Sequence, residues 1–206
     1  MTKKRILPVP LILLTPIVLL ILVVIAGVYR FSLPADSITA KFSRQVTNQD
    51  AVMLRVFGIK TPNPWTVKVP ETQVYSFIQR LDNGSGLAQG YYQDQAVRGT
   101  VTLDTRQLIQ LNETLYAVIM RISNQGTGIF YYLTLFDYDK LRHRMISRDA
   151  YLLGDRIEVE RLEQQGQNIQ VRVKQRKLDQ PMVQKPKTAD IMLFEFDERA
   201  LSPVLK

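Results

Sequence analysis

The chain has 206 residues, of which 46% are hydrophobic, with no cysteine, one histidine and a formal net charge of +8. Without cysteine there is no disulfide framework, no thiol chemistry and no lipid-modified cysteine anchor. About 176 residues remain after the amino-terminal apolar stretch, enough for one domain to bury roughly 70% of the surface its unfolded chain exposes and to stand without disulfide or metal.

The first element in chain order is that apolar stretch, Ile6 to Val28, which contains no ionisable side chain and only Thr15 as a polar one. Roughly 23 residues at about 1.5 Å each would cover a ~30 Å hydrocarbon core, so the stretch predicts a single-pass transmembrane helix over 6–28. Pro8 and Pro10 fall at its start, and Pro16 predicts a kink within it. Lys3, Lys4 and Arg5 precede the stretch and Arg30 alone follows it closely. The positive-inside rule then gives a cytoplasmic tail over 1–5, a protein of the inner (plasma) membrane and an extracytoplasmic carboxy-terminal domain. A cleaved signal peptide ending at Val24-Ile25-Ala26 is the alternative, and it exports the same remainder.

With those four flanking cations set aside, residues 31–206 carry 23 basic residues against 19 acidic ones, a net +4. A nucleic-acid binder gathers Lys and Arg on one face. Here the signs alternate through Arg156, Glu158, Glu160, Arg161 and Glu163, and again through Asp137, Asp139, Lys140, Arg142 and Arg144, so no nucleic-acid partner is expected.

Residues 29–47 mix Pro34, Ser37, Thr39 and Ser43 with scattered apolar residues, which reads as a juxtamembrane linker ahead of a domain over 48–206. Ala51 to Ile59 is rich in Val, Leu and Phe between turn-forming clusters and predicts a short strand or buried segment. Val74, Phe77, Ile78 and Leu81 fall at i, i+3, i+4 and i+7 after Pro70, which predicts a helix ending at Asp82-Asn83-Gly84. A flexible loop follows to Gly90.

From Arg98 onward strands dominate. Gly99 to Leu103 is one; Thr114 to Ile122 and Ile129 to Phe136 form a hairpin, with Gly126 or Gly128 expected at positive φ. Asp137 to Arg148 reads as a charged connection. Arg156 to Leu162 and Ile169 to Val173 make a second hairpin with Ile169, Val171 and Val173 inward, and Ile191 to Phe196 is the last strand. The predicted fold class is therefore α+β: a transmembrane helix, then one helix packed on an antiparallel β meander, with a half-open β-barrel as the alternative.

Catalytic sets are sparse. His143 lies in the cationic run Lys140-Leu141-Arg142-His143-Arg144 and reads as a surface loop residue. Ser85 lacks the strand-to-helix setting of a nucleophile elbow. Asp137 with Asp139, or Glu158 with Glu160, could supply the carboxylate pair of a hydrolase, but the same spacing occurs on any solvated strand. Asp149 and Asp155 have no metal-loop signature around them. No cofactor and no metal are expected. Aromatic residues concentrate beside the glycine-rich loops, so Tyr91, Tyr92 and Tyr131 are the candidate partner-binding residues.

The run Gly126-Thr127-Gly128-Ile129-Phe130-Tyr131-Tyr132-Leu133, then Leu153-Gly154-Asp155-Arg156-Ile157, Gln175-Arg176 and Asp179-Gln180-Pro181-Met182 with Pro186 resembles an uncharacterised bacterial extracytoplasmic β-rich module. The resemblance implies an exported setting and brings no reaction or site residue with it. The expectation is a membrane-anchored envelope protein whose exported domain is a non-catalytic binding or assembly module for another envelope protein. The alternatives are a carrier of a small apolar ligand or lipid, and a carboxylate hydrolase.

Overall fold

The structure is a computed structural model that describes residues 11–32, 49–177, 180–181 and 183–204, with side chains over 16–26 in the first of these segments. The chain divides into two compact units, Met1–Val46 and Thr47–Lys206. The first contributes one described element, helix α1 (Leu11–Ser32), with Pro16 inside it. Among the described residues no helix is long and apolar enough to cross a membrane. This corrects the expected single-pass anchor over 6–28, and with it the inner-membrane placement and the two-sided topology derived from it. The tail at 1–5 and most of the linker at 29–47 lie outside the described residues.

The second unit is almost entirely β, which corrects the α+β meander. Strands β1 (Thr66–Lys68), β2 (Tyr75–Asp82), β3 (Leu87–Asp94), β4 (Val97–Asp104), β6 (Leu115–Asn124), β7 (Ile129–Asp139) and β8 (Arg144–Asp155) close into a seven-stranded barrel. Closure comes from β4 pairing with β6, while the short β5 (Ile109–Gln110) pairs with β6 beyond the seam. Every barrel pairing is antiparallel except that of β1 with β8. Strands β9 (Glu158–Gln165), β10 (Asn168–Gln175), β11 (Thr188–Phe196) and β12 (Leu201–Pro203) form a separate antiparallel sheet. The barrel alternative was thus nearer than the meander, but the barrel is closed.

Two sequence assignments exchange places. Ala51–Phe57 is a helix, α2, and not a strand: Asp50 Oδ1 accepts hydrogen bonds from the Val52 and Met53 amides at its start, and Gly58 at φ 69° ends it in the left-handed conformation. The predicted helix over 70–81 is instead strand β2. Ser76 and Ile78 face the interior at strand spacing, and a bulge between Ile78 and Arg80 then resets the parity so that Leu81 faces inward opposite Ala88. Bulge spacing from Ile78 to Leu81 imitates the i+3 step of a helix.

Two cores follow from the architecture. Inside the barrel, Trp65, Val67, Ile78, Val101, Met120 and Phe136 pack with Val52 and Met53 of α2, which plugs one end. Trp65 is fully buried and meets the rings of Phe57 and Phe136 edge-on at 4.8 and 5.2 Å. Outside the barrel, Ala117, Ile119, Leu133 and Leu135 pack against Leu162, Ile169, Val171 and Phe194 of the second sheet. Strands β6 and β7 are apolar on both faces for this reason: one face lines the barrel and the other is covered by a sheet, not by the helix expected from the sequence.

The hairpin of β6 and β7 is present as read, but positive φ falls at Gly58, Gly86, Gly154 and Gly166 and not at Gly126 or Gly128. The presumed charged connection is mostly strand: β7 runs to Asp139 and β8 starts at Arg144 around a short turn. The presumed loop up to Gly90 is a tight turn followed by β3.

Candidate binding cleft on the outer barrel wall

Alternation along the strands sorts the three candidate tyrosines. Tyr92 points into the barrel and is 9% exposed; burial, then the Asp94 carboxylate, raises its phenol above the ordinary range. Its neighbour Tyr91 points outward, opposite Phe77 on β2 and Thr100 on β4, and the Arg80 guanidinium lies 5.7 Å from its ring centre. Tyr131 also faces outward, opposite Arg121 on β6, and packs at the margin of the outer core. The wall therefore presents Tyr91 and Tyr131, while Tyr92 belongs to the core with Tyr132.

Beside Tyr131 the second sheet stops short of the barrel wall and leaves a cleft of about 230 Å³. Its floor is apolar, from Leu87, Ile119, Ile157 and Val159, and its polar groups come from Thr102, Asp104, Gln107, Arg121 and Glu158. Gln107 sits in a 3₁₀ turn (Thr105–Gln107) that Asp104 caps through the Arg106 amide. Its amide nitrogen donates to Asp104 Oδ2 at 3.2 Å, which fixes the side-chain orientation, because two acceptors would otherwise face each other. The Gln107 carbonyl oxygen is left buried without a partner. An apolar floor with a few converging polar groups is the usual composition of a ligand site, and this volume suits one ring or fragment, being below the ~300–1,000 Å³ of drug-sized pockets.

The motifs at 126–133, 153–157 and 175–176 that carried the family resemblance meet at the neighbouring end of the wall, while Asp179 and Met182 of the remaining one lie outside the described residues. Arg156, at φ 49° after Gly154-Asp155, donates from Nε to the Thr127 carbonyl at 2.8 Å and from Nη2 to Thr127 Oγ1 at 3.0 Å. Asp155 Oδ1 accepts from the Ile129 amide, and Arg176 Nη1 donates to the Arg156 carbonyl. These residues clamp the β6–β7 loop to the start of the second sheet. Their part is structural.

The candidate chemistry elsewhere is dispersed. His143, at φ 47° in the β7–β8 turn, contacts the Tyr138 hydroxyl through Nδ1 at 3.0 Å. Asp137 pairs with Arg148, Asp139 with Arg142 and Arg144, and Glu160 with Lys174. Asp139 is held below the ordinary carboxylate range by the Arg142 amide first and by the two arginine side chains after it. Asp149 accepts from the Leu201 amide and from its own neighbour Ala150, so it serves the join between β8 and β12. No group of three or more potential metal-binding side chains comes together among the described residues.

Sequence reading missed Phe77, Thr102, Gln107 and Arg121 as wall residues. Phe77 was hidden by the helical misreading of β2, and the others are ordinary residues that only the strand register brings together. With the geometry in hand, the class of the protein is a closed β-barrel bearing a second sheet and a lateral cleft. Comparison with protein-family models, with characterised proteins and with solved structures finds no match.

Proposed function

We propose that the chain is a non-catalytic binding module that takes its ligand on the outer wall of the barrel, centred on the Thr102, Arg121 and Tyr131 cleft. One observation carries this reading: Trp65, Phe136, Met120 and Leu103 fill the barrel interior to full burial, whereas the outer wall keeps an open cleft with an apolar floor. A carrier enclosing an apolar molecule within the barrel would need to displace that core, at several kcal/mol for each large side chain moved. The carrier alternative therefore takes the form of a ligand seated in the cleft. Tyr131 keeps the role of contact residue, Tyr91 extends the surface and Tyr92 supports the wall from inside.

The test is a fragment screen by ligand-observed NMR on the wild type and on Thr102→Trp, whose indole would fill the cleft from a side chain that is already 7% exposed. Hits that bind the wild type and are lost in the variant support the reading. Hits that persist in the variant, or that perturb the interior methionines Met120 and Met145, count against it.

A further inference from the structure

The barrel is incompletely laced between β1 and β8. The two strands pair at a single bridge, Thr66 with Ile146. Two residues on, the Lys68 amide donates to the Ser147 side-chain oxygen at 2.7 Å, and the parallel ladder stops. Beyond that point β8 pairs only with β7, so from Asp149 to Leu152 its other backbone edge has no strand beside it. The Ala150 amide on this stretch donates to Oδ1 of its neighbour Asp149 at 2.9 Å. Ser147 and Asp149 thus satisfy amides at a seam where a full-length neighbouring strand would supply carbonyls.

A groove of about 480 Å³ follows that edge, with Ala150 and Leu152 on one side and Lys68, Glu71 and Gln73 on the other. From the ~3.3 Å rise, ~4.8 Å strand spacing and ~10 Å layer depth of a sheet, a strand residue fills roughly 160 Å³, so the groove takes about three residues. Tyr132 also lines it; this ring is 7% exposed, and its hydroxyl makes no hydrogen bond with any described residue. Burial first, then Glu71 and Tyr92, raises its phenol above the ordinary range, so it remains a proton donor. Lys68 and Glu71 have no ion-pair partner among the described residues, and they set one charge of each sign on the same wall.

We infer that this groove binds an extended peptide, which adds to β8 as a strand. The inference goes beyond the cleft at Thr102 and does not depend on it. Ala150 and Leu152 are two apart in the regular stretch between the bulges of β8, so their backbone groups turn the same way at an interval of about 6.8 Å. Another extended backbone repeats its donors and acceptors at that interval, which is the basis of strand addition. Segment 70–73 walls the groove opposite β8, so the folded sheet edge of a second copy meets that wall while a single slender strand enters. The Tyr132 hydroxyl donates to the peptide, and Lys68 and Glu71 pair with an acidic and a basic side chain on it.

The experiment titrates the full chain with labelled, end-blocked peptides that alternate valine and threonine between one glutamate and one lysine, placed in either order. Two further versions carry N-methyl groups on one or the other set of alternate amides. At least one order should bind saturably, with a loss of about tenfold or more when the amides facing β8 are methylated. Gln73→Trp, on an exposed wall position, should block binding, and Tyr132→Phe should weaken it about two- to tenfold, whereas Thr102→Trp should leave it unchanged. Protection of the Leu152 amide from exchange should rise with peptide, and thermal melting verifies that each variant is folded. No binding in either order, equal binding of both methylated versions, or binding lost in Thr102→Trp and kept in Gln73→Trp overturns the inference. A dimer in sedimentation that Gln73→Trp dissociates also overturns it, in favour of a second copy. Fragment binding at the Thr102 cleft is read separately, so the proposed function stands or falls on its own test.

Discussion

Gly90 of β3 is the position where a single methyl group tests the barrel most sharply. It stands opposite Ile78 at the edge of the β2 bulge, and a Cβ added there would overlap the Phe77 carbonyl oxygen and come within 2.6 Å of Ser76 Oγ. Backbone cannot swing aside as a flexible side chain can, so Gly90→Ala must push β2 and β3 apart at the point where β2 changes parity. Overpacking of this kind costs about 1–3 kcal/mol. Each kcal/mol lowers the melting temperature of a domain of this size by roughly 2–4 °C, which predicts a fall of about 2–12 °C. Gly126→Ala is the control: its φ is not positive, and the nearest atom to its added Cβ is the end of the exposed Asn124 side chain at 3.0 Å, so its melting temperature should change by no more than about 2 °C. Differential scanning calorimetry of both variants measures the contrast. A Gly90→Ala protein as stable as the wild type would refute the bulge register and the inward facing of Leu81.

Three further outcomes follow from the same structure. Asp50→Ala removes the acceptor for two amides at the start of α2 and should cost about 0.5–2 kcal/mol in urea unfolding, whereas a strand over 51–59 would be indifferent to it. Thr134→Val replaces a buried hydroxyl that lacks a partner and should leave stability unchanged or raise it by up to about 1–3 kcal/mol; clear destabilisation would mean that the hydroxyl is satisfied. Asp139 has its carboxyl lowered by the Arg142 amide, so its contribution to the β7–β8 turn is present above the ordinary carboxylate range and is lost as pH falls through the lowered value. The protection of the Arg142 amide, its exchange rate compared with the intrinsic rate at each pH, should fall on acidification through that range, and Asp139→Asn should abolish this loss of protection.

In the second half of the chain β6, β7 and β10 were legible because alternation along them is undisturbed, whereas β8, which pairs with β7 through two bulges, was not. Ile169, Val171 and Val173 face the outer core as their spacing requires, and the β6–β7 hairpin falls between its loop residues. Legibility failed where local geometry mimics another period. The bulge after Ile78 gives β2 helical spacing, and the seven residues of α2 are too few for periodicity to declare themselves, although Asp50 and Gly58 carry its capping signals. The apolar amino terminus read as a span by composition alone, whereas among the described residues no helix is long and apolar enough to cross a membrane.

The candidate site was the least legible part. Aromatic enrichment singled out Tyr91, Tyr92 and Tyr131 together, whereas strand geometry places Tyr91 and Tyr131 on the outer wall and sends Tyr92 to the opposite face. Arg121, Thr102 and Gln107 carry no motif; strand register and the 3₁₀ turn bring them together beside Asp104 and Glu158.

The central claim is that ligand engages the outer wall and leaves the barrel interior filled. It is tested most directly by NMR of protein labelled at methionine methyls and at tyrosine rings, titrated with a fragment that binds the wild type. Met53, Met120 and Met145 report the interior, and Tyr131 reports the cleft. The account predicts shifts in Tyr131 with the three methyls unmoved; shifts in the methyls with Tyr131 unmoved would contradict it.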